Sequence, residues 1–284
     1  MIISRIIGGL GNQLFQYAAG KALAEMHGVE LKLDTCLFST EQLRNFDLSQ
    51  LNADVSIATN EEIATLKAAN SRQRIRSYLT AYKSKTFYKE PFFHFDPKFR
   101  KLSKNIYVQG YFQSEKYFLS IQHKIRELFQ PKESVIATVL EFGKALNEHN
   151  SVAIHIRRGD YSNETTRKVH GIIPLSYYED AVKIIQTKIA APRFYIFSDD
   201  GAWVQENLAI PNAAVVSGVQ SKTHFEDLFL MSQCRHNIIA NSSFSWWGAW
   251  LNANSNKTVI APKQWFNQGP KDTQDLIPER WIKI

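Results

Sequence analysis

The chain has 284 residues, 44% of them hydrophobic, and carries 34 Lys and Arg against 27 Asp and Glu, a net charge of +7. Such a balance is ordinary for a globular protein of about two domains and excludes a disordered, collagenous or coiled-coil chain. The two cysteines, Cys36 and Cys234, stand in no zinc-like spacing and exclude a disulfide framework. The first strand is expected over Ile2 to Ile7. Gly8 to Gly11 then turn into a helix reaching about His27, with Leu14, Phe15, Ala18, Ala22 and Met26 on one stripe and Gly28 as its stop. Val29 to Asp34 alternates as a second strand, which makes a βαβ opening. From about Ser39 to Arg100 the pattern is irregular, charged and mostly helical. A strand at Ile106 to Gln109 leads into Gly110 to Glu115, and two helices follow over roughly 114–130 and 132–149, parted by Pro131.

From Ser151 onward strands and helices alternate. Strands are expected at Val152–Arg157, Arg193–Phe197, Ala213–Val216, Asn237–Ala240 and Lys257–Ala261. Helices are expected after Pro174, after Asp199, near Asn241 and near Thr223, where Thr223 and Glu226 have capping-box spacing. This alternation predicts a parallel sheet covered on both faces. The change of domain is placed near residue 150, giving domains 1–150 and 151–284. The uncharged stretch from Asn237 to Asn256 is too rich in Asn and Ser to span a bilayer. The opening residues, interrupted by Arg5, do not form a signal peptide, and the cytoplasm is the expected location.

Charge is uneven. Residues 71–132 hold fourteen Lys and Arg against four Asp and Glu, a local +10. That patch reads either as a solvated basic face or as a docking surface for an anionic lipid or an acidic substrate. Aromatic residues are interleaved with it, but no RNA-recognition signature is present, and nucleic acid is not the expected partner.

In open parallel sheets ligands bind beyond the carboxyl ends of the strands, and three polar clusters fall there. One is His155-Ile156-Arg157-Arg158-Gly159-Asp160-Tyr161, the second Ser198-Asp199-Asp200, and the third Asn241-Ser242-Ser243-Phe244. Arg157 and Arg158 are forked, permanently charged donors suited to phosphate oxygens. Their alternative partners are the carboxylates of Asp160, Asp199 and Asp200. Ser242 and Ser243 stand at a helix start, where they serve either as a plain N-cap or as phosphate ligands. There is no G-x-x-x-x-G-K-[ST], no H-E-x-x-H and no G-x-S-x-G. The segment Gly9 to Leu14 begins like a dinucleotide fingerprint but lacks its last glycine. No D-x-D is present either, so arginines rather than a divalent metal would carry the charge of a departing nucleoside diphosphate.

These motifs resemble those of the bacterial α-1,2-fucosyltransferases, glycosyltransferase family 11. The matching stretches are Gly8 to Tyr17, Gly110 to Glu115, His155 to Tyr161, Phe197 to Asp200 and Asn241 to Trp250, in the family's order and across nearly the whole chain. The resemblance implies an α/β, GT-B-like fold, with two Rossmann-like domains facing a cleft. It implies an N-terminal acceptor-side domain and a C-terminal domain holding GDP-fucose. The reaction implied is an inverting transfer of L-fucose to the 2-hydroxyl of a terminal galactose, with no cofactor and no divalent metal. The alternatives are another GDP-sugar transferase with a different acceptor or linkage, or a non-enzymatic protein binding nucleic acid or lipid through its basic segment. Arg157 would hold the β-phosphate with Arg158 in support, His155 and Asp227 would meet the guanine, and Ser242 and Ser243 the phosphates. Asp199, Asp200, Asn241 and Phe244 complete the donor set, although Asp227 also fits a plain surface carboxylate. On the acceptor side stand Asn12, Gln13, Tyr111 and Gln113. Gln113 and Glu115 either touch the acceptor or cap the helix after them. Asp160 is the nearest motif carboxylate for a general base, unless it only clamps the arginines, and Asn12 is placed to orient the acceptor. The acceptor is a galactose-terminated glycan, a lipid-linked one included. In that case residues 71–132 would dock the protein at the inner face of the membrane.

Overall fold

The computed structural model describes residues 1–39, 44–73, 85–158 and 168–284, and of 68–73 the backbone alone. The chain divides into two compact units. The first comprises Met1–Gln130 with Asp272–Pro278, the second Pro131–Lys271 with Glu279–Ile284.

In the first unit β1 (Ile2–Arg5) is followed by α1 (Leu10–His27) and β2 (Leu31–Asp34). Then come α2 (Asn60–Gln73), β3 (Phe87–Lys89), β4 (Ile106–Gln109) and α3 (Gln122–Leu128). The four strands are parallel, in the order β2-β1-β4-β3. Helix α1 lies close enough to the sheet that a Cβ on Gly20 would come within 2.9 Å of both Ser4 and Leu31. Alanines on either side, Ala18, Ala19, Ala22 and Ala24, permit that approach and are all buried. Gly28 ends the helix in the left-handed conformation, φ 60°, with its N–H on the carbonyls of Ala24 and Glu25. Met26, expected on the buried stripe, is half exposed in the last turn of the helix.

The second unit opens with α4 (Glu133–Ile136) and α5 (Leu140–Asn147), followed by β5 (Ser151–Ile156), α6 (Leu175–Lys188), β6 (Arg193–Ser198) and α7 (Gly201–Asn207). After these come β7 (Ala213–Val215), α8 (His224–Gln233), β8 (His236–Ile238), α9 (Ser243–Leu251), β9 (Val259–Ala261) and β10 (Ile282–Lys283). The six strands are parallel, in the order β10-β9-β8-β5-β6-β7. Every residue of β5 is buried, as a central strand covered on both faces requires. Tyr177, Tyr178, Ala181, Val182 and Ile185 of α6 recur at helical spacing and pack with Val152, Ile154, Phe194 and Ile196. The uncharged stretch noted in the sequence contains α9, whose Trp246, Trp247 and Trp250 are fully buried. Among the described residues no helix is long and apolar enough to cross a membrane.

Several expectations are corrected. The units divide at 130/131 rather than near residue 150. Ile136, Val139 and Leu146 join the core formed with Phe229, Leu230 and Met231, so α4 and α5 belong with α8. A Cβ on Gly143 would meet the Phe229 ring at 2.7 Å, which shows how closely α5 approaches. The helix expected over 114–130 is broken into short turns at Glu115–Tyr117 and Leu119–Ile121 ahead of α3, because Phe118 leaves the helical conformation between them. Within the stretch read as irregular, the structure holds α2 and β3. Strand β10 is two residues long and pairs with β9 across an intervening excursion of the chain, so it has no periodic signal in the sequence.

Candidate active site

Both sheets have a switch point, where successive strands depart in opposite directions, and ligands of such sheets bind beyond the carboxyl ends at that point. In the second unit it lies between β5 and β8, and in the first between β1 and β4. The motif residues follow these four strands.

Arg157 and Arg158 leave the end of β5. Arg157 Nη1 stands 3.0 Å from Asp199 Oδ2, with each side chain about three-quarters buried (24% and 26% exposed). The backbone N–H of Arg158 donates to the other Asp199 oxygen at 2.8 Å. The Arg158 guanidinium lies over the Trp203 ring at 3.7 Å, with Nε 3.8 Å from Asp200 Oδ2. Asp200 also caps α7, accepting from the N–H of Trp203 at 3.1 Å. Asp199, expected to touch the donor, is occupied by Arg157 and the Arg158 N–H, whereas Asp200 is bonded to the Trp203 N–H and remains 41% exposed, and Arg158 Nε has no hydrogen-bond partner. These contacts aim the guanidiniums in advance. Trp203 escaped the sequence reading, although it follows Asp200 by one helical turn.

His155 is enclosed in β5, with Nδ1 unpartnered and its ring 5.7 Å from that of Phe244 at the start of α9. Burial, with help from the Arg157 charge, lowers its pKa to about 3, so the imidazole is neutral at physiological pH. Asn241 Nδ2 donates to the carbonyls of His170 (2.8 Å) and Trp265 (3.1 Å), tying two loops together, while its buried Oδ1 has no partner. Ser242 occupies the N-cap of α9 without a side-chain bond to the helix, and Ser242, Ser243 and Phe244 are partly exposed there. The first turn of α9 thus offers backbone N–H groups with no helical acceptor. Asp227 is not a plain surface carboxylate. It accepts from Ser217 Oγ at 2.8 Å and from Ser221 Oγ, while Ser217 Oγ accepts from the N–H of Ser198 at 3.0 Å. Burial raises its pKa against these bonds. The network fixes the loop between β7 and α8 against the end of β6.

In the first unit the β1 and β4 motifs meet. Gln113 Nε2 donates to Asn12 Oδ1 at 2.8 Å, joining the turn after β4 to the first turn of α1. Gln113 is buried, and its Oε1 has no partner. Tyr111 is 44% exposed. Gln13 is fully buried and makes three bonds of its own, to the carbonyls of Gly8 and Asn45 and from the N–H of Asp47, each of 2.8–2.9 Å. It pins a loop and has no free group for an acceptor, a correction of its expected role. Ser114 caps the turn over Glu115–Tyr117, so the cap belongs to Ser114, while Gln113 faces Asn12. A residue absent from the sequence reading, Glu90, accepts from the N–H groups of Tyr111 and Phe112. It lies in the aperiodic stretch before Arg100, where nothing but the pairing of β3 with β4 announces it.

Asp160 lies outside the described residues, as does the 74–84 part of the basic segment. Lys98, Arg100 and Lys101 of that segment are exposed on the turn Pro97–Lys101. Among the described residues, no three His, Cys, Asp or Glu side chains gather where they could share a metal ion.

Comparison with known proteins fits this arrangement. The sequence profile described as Glycosyl transferase family 11 matches residues 1–284. An alpha-1,2-colitosyltransferase of Escherichia coli is 34% identical over 290 residues, covering 100% of this chain and 99% of its own length. Galactoside alpha-(1,2)-fucosyltransferase 2 of Pongo pygmaeus is 26% identical over 254 residues, covering 86% of this chain and 67% of its own. Among solved structures, a mutant of Arabidopsis thaliana FUT1 in complex with GDP aligns with a TM-score of 0.54 at 12% identity, over 98% of this chain and 74% of that one. At that identity the likeness concerns the fold, which is α/β of the GT-B type.

Proposed function

Since the chain belongs to glycosyltransferase family 11, we propose that it transfers L-fucose from GDP-fucose to the 2-hydroxyl of a terminal galactose, with inversion. The observation that carries this reading is the pair Arg157 and Arg158, held by Asp199 and the Trp203 ring at the β5 switch point beside the open first turn of α9. That combination suits the diphosphate of a nucleotide sugar. His155 and Phe244 offer a ring pair with an unpartnered nitrogen for the base. Similarity to a galactoside α-1,2-fucosyltransferase supports the linkage.

In this mechanism the acceptor oxygen forms a bond to the anomeric carbon while the bond from that carbon to the β-phosphate oxygen breaks. The electron pair leaves with GDP. Arg157, already aimed, meets the charge that develops on the β-phosphate, an effect worth roughly 3–4 kcal/mol per donor. The hydroxyl proton goes to a carboxylate base, for which Asp160 is the motif candidate. Asn12, Tyr111 and Gln113 form the acceptor side of the first unit. No cofactor and no divalent metal take part in this scheme. The protein acts in the cytoplasm, and the basic segment 71–132 brings it to anionic lipid when the acceptor is lipid-linked.

A second reading is favoured by the colitosyltransferase at 34% identity: the transferred sugar is colitose and the linkage is retained. One experiment separates the two. The protein is incubated with GDP-fucose or GDP-colitose and with lactose or N-acetyllactosamine, in EDTA, and the product linkage is determined. An α-1,2-fucosylated product supports the first reading, transfer from GDP-colitose alone supports the second, and activity restored only by Mg²⁺ or Mn²⁺ refutes metal independence.

A further inference from the structure

Glu90 stands at the carboxyl end of β3, where its N–H donates to the carbonyl of Gln109 at 2.8 Å and so ties it to the end of β4. Its side chain turns under the segment after β4. Oε2 accepts from the N–H of Tyr111 at 2.7 Å, and Phe112 N–H lies 3.1 Å from Oε1 and 3.2 Å from Oε2. The Tyr117 hydroxyl donates to Oε1 at 3.3 Å. Phe112, fully buried, has φ 52°, a left-handed conformation that an L-residue avoids unless its surroundings impose it. Gly110 is required for the same reason of space: a Cβ there would stand 2.5 Å from Glu90 Cβ and 2.7 Å from Oε2. The sharp turn places Tyr111 outward and sends Gln113 inward to Asn12. No other described carboxylate reaches both backbone N–H groups.

We propose that Glu90 is a positioning residue for the acceptor side, its carboxylate holding the 110–113 turn from which Tyr111 and Gln113 are presented. The inference rests on the fucosyl-transfer reading for its substrates, and on the first unit alone for its geometry. The ionised carboxylate grips the two amides with charge-assisted bonds, which are shorter and stronger than neutral ones. The groups facing it are Tyr117 on the turn after Ser114, Tyr88 of β3, Asp96, and Asp272, which is paired with His94. Burial raises the pKa of Glu90 to about 7, against the pull of the Phe112, Tyr111 and Tyr117 bonds and with a small contribution from Asp272. Burial likewise raises Tyr88 and Tyr117, so both stay protonated and neutral near neutrality. The carboxyl is then half protonated near pH 7, and acceptor use weakens below it.

Glu90→Gln keeps the shape: the amide oxygen accepts from Tyr111 and Phe112 while its NH₂ donates to the Tyr117 hydroxyl. The test has two arms, both on the full chain. In the first, the acceptor KM and the GDP-fucose KM are measured between pH 6 and 8 with lactose as acceptor. The wild-type acceptor KM is expected to rise about fivefold toward pH 6 while the donor KM holds, and Glu90→Gln is expected to show the raised value at every pH. In the second arm, amide hydrogen exchange of 110–113 is followed without substrate. Protection factors are expected to fall about fivefold in Glu90→Gln at pH 8 and to match wild type at pH 6. If no protein transfers fucose, the exchange arm still decides the positioning role, and only the donor or acceptor assignment is lost. Unchanged protection, or an acceptor KM that ignores both pH and substitution while transfer proceeds, overturns the proposal. Glu90→Asp, which keeps the charge but draws the carboxylate back from both amides, gives the same acceptor defect at pH 8 and serves if Glu90→Gln does not fold.

Discussion

Replacing Asp199 by alanine removes two partners in one step. The ion pair with Arg157 (3.0 Å) is about three-quarters buried on both sides, so it sits between the surface and the interior limits. Discounted for that exposure it is worth about 1–2 kcal/mol, and the bond to the Arg158 N–H adds about 1 kcal/mol. The sum, about 2–3 kcal/mol, should lower Tm by roughly 5–10 °C in a cooperative unit of this size. Thermal denaturation with and without GDP then tells a clamp from a ligand. GDP at about 100 times its Kd should add about 2.7 kcal/mol to wild type. In Asp199→Ala the diphosphate takes the place of the missing carboxylate, so the GDP increment should be at least as large. In Arg157→Ala it should shrink. An Asp199→Ala protein of unchanged stability whose GDP increment is lost would falsify the clamp and make Asp199 a direct nucleotide contact.

If Arg157 meets the charge developing on the leaving diphosphate, as proposed, Arg157→Ala should lower kcat by about 10²–10³-fold, and quench-flow measurement of sugar transfer reads this directly. Gln13→Ala removes three hydrogen bonds to the partly exposed backbone of Gly8, Asn45 and Asp47 and should cost about 1–3 kcal/mol in urea denaturation, while kcat/KM per folded molecule stays within about twofold. A selective loss of acceptor affinity would instead restore Gln13 to the acceptor site. His155 has a folded pKa of about 3, below the ordinary histidine value of 6.5, so the unfolded chain binds the extra proton between those values. The stability it contributes is full above pH 6.5 and is lost as pH falls toward 3. His155→Gln should flatten that acid limb. Glu90, with its pKa raised from 4.5 to about 7, works in the opposite sense over part of the window, so the difference between wild type and His155→Gln is the quantity to compare.

Much of the site was visible as composition at strand ends. Arg157, Asp199 and Asn241 follow β5, β6 and β8 within three residues, and a polar run after a buried strand is legible because its neighbours are apolar. What each residue does was not legible. Gln13 looks like a ligand in a string of letters, yet its amide bonds Gly8, Asn45 and Asp47, and the Asn241 Nδ2 is taken by carbonyls 24 and 71 residues away. Asp227 was ambiguous until Ser217 and Ser221 were seen to bond it. Glu90 carried no signal, because its partners lie 21 and 22 residues downstream across a parallel strand pair.

The parallel α/β class, the caps at Gly28 and Thr223 and the family follow from the sequence, since these depend on local periodicity and on contiguous motifs. The tertiary structure alone decided the strand orders, and with them the two switch points that join the turn after β1 to the one after β4 and set the ends of β5 and β8 side by side. It also decided the unit boundary at 130/131, the return of 272–278 to the first unit, and the division of the polar residues into those that are held and those that do the holding. Hydrogen bonds and ion pairs of this kind form wherever folding brings donor and acceptor within about 3 Å. Sequence spacing does not encode that distance once the partners sit on different strands.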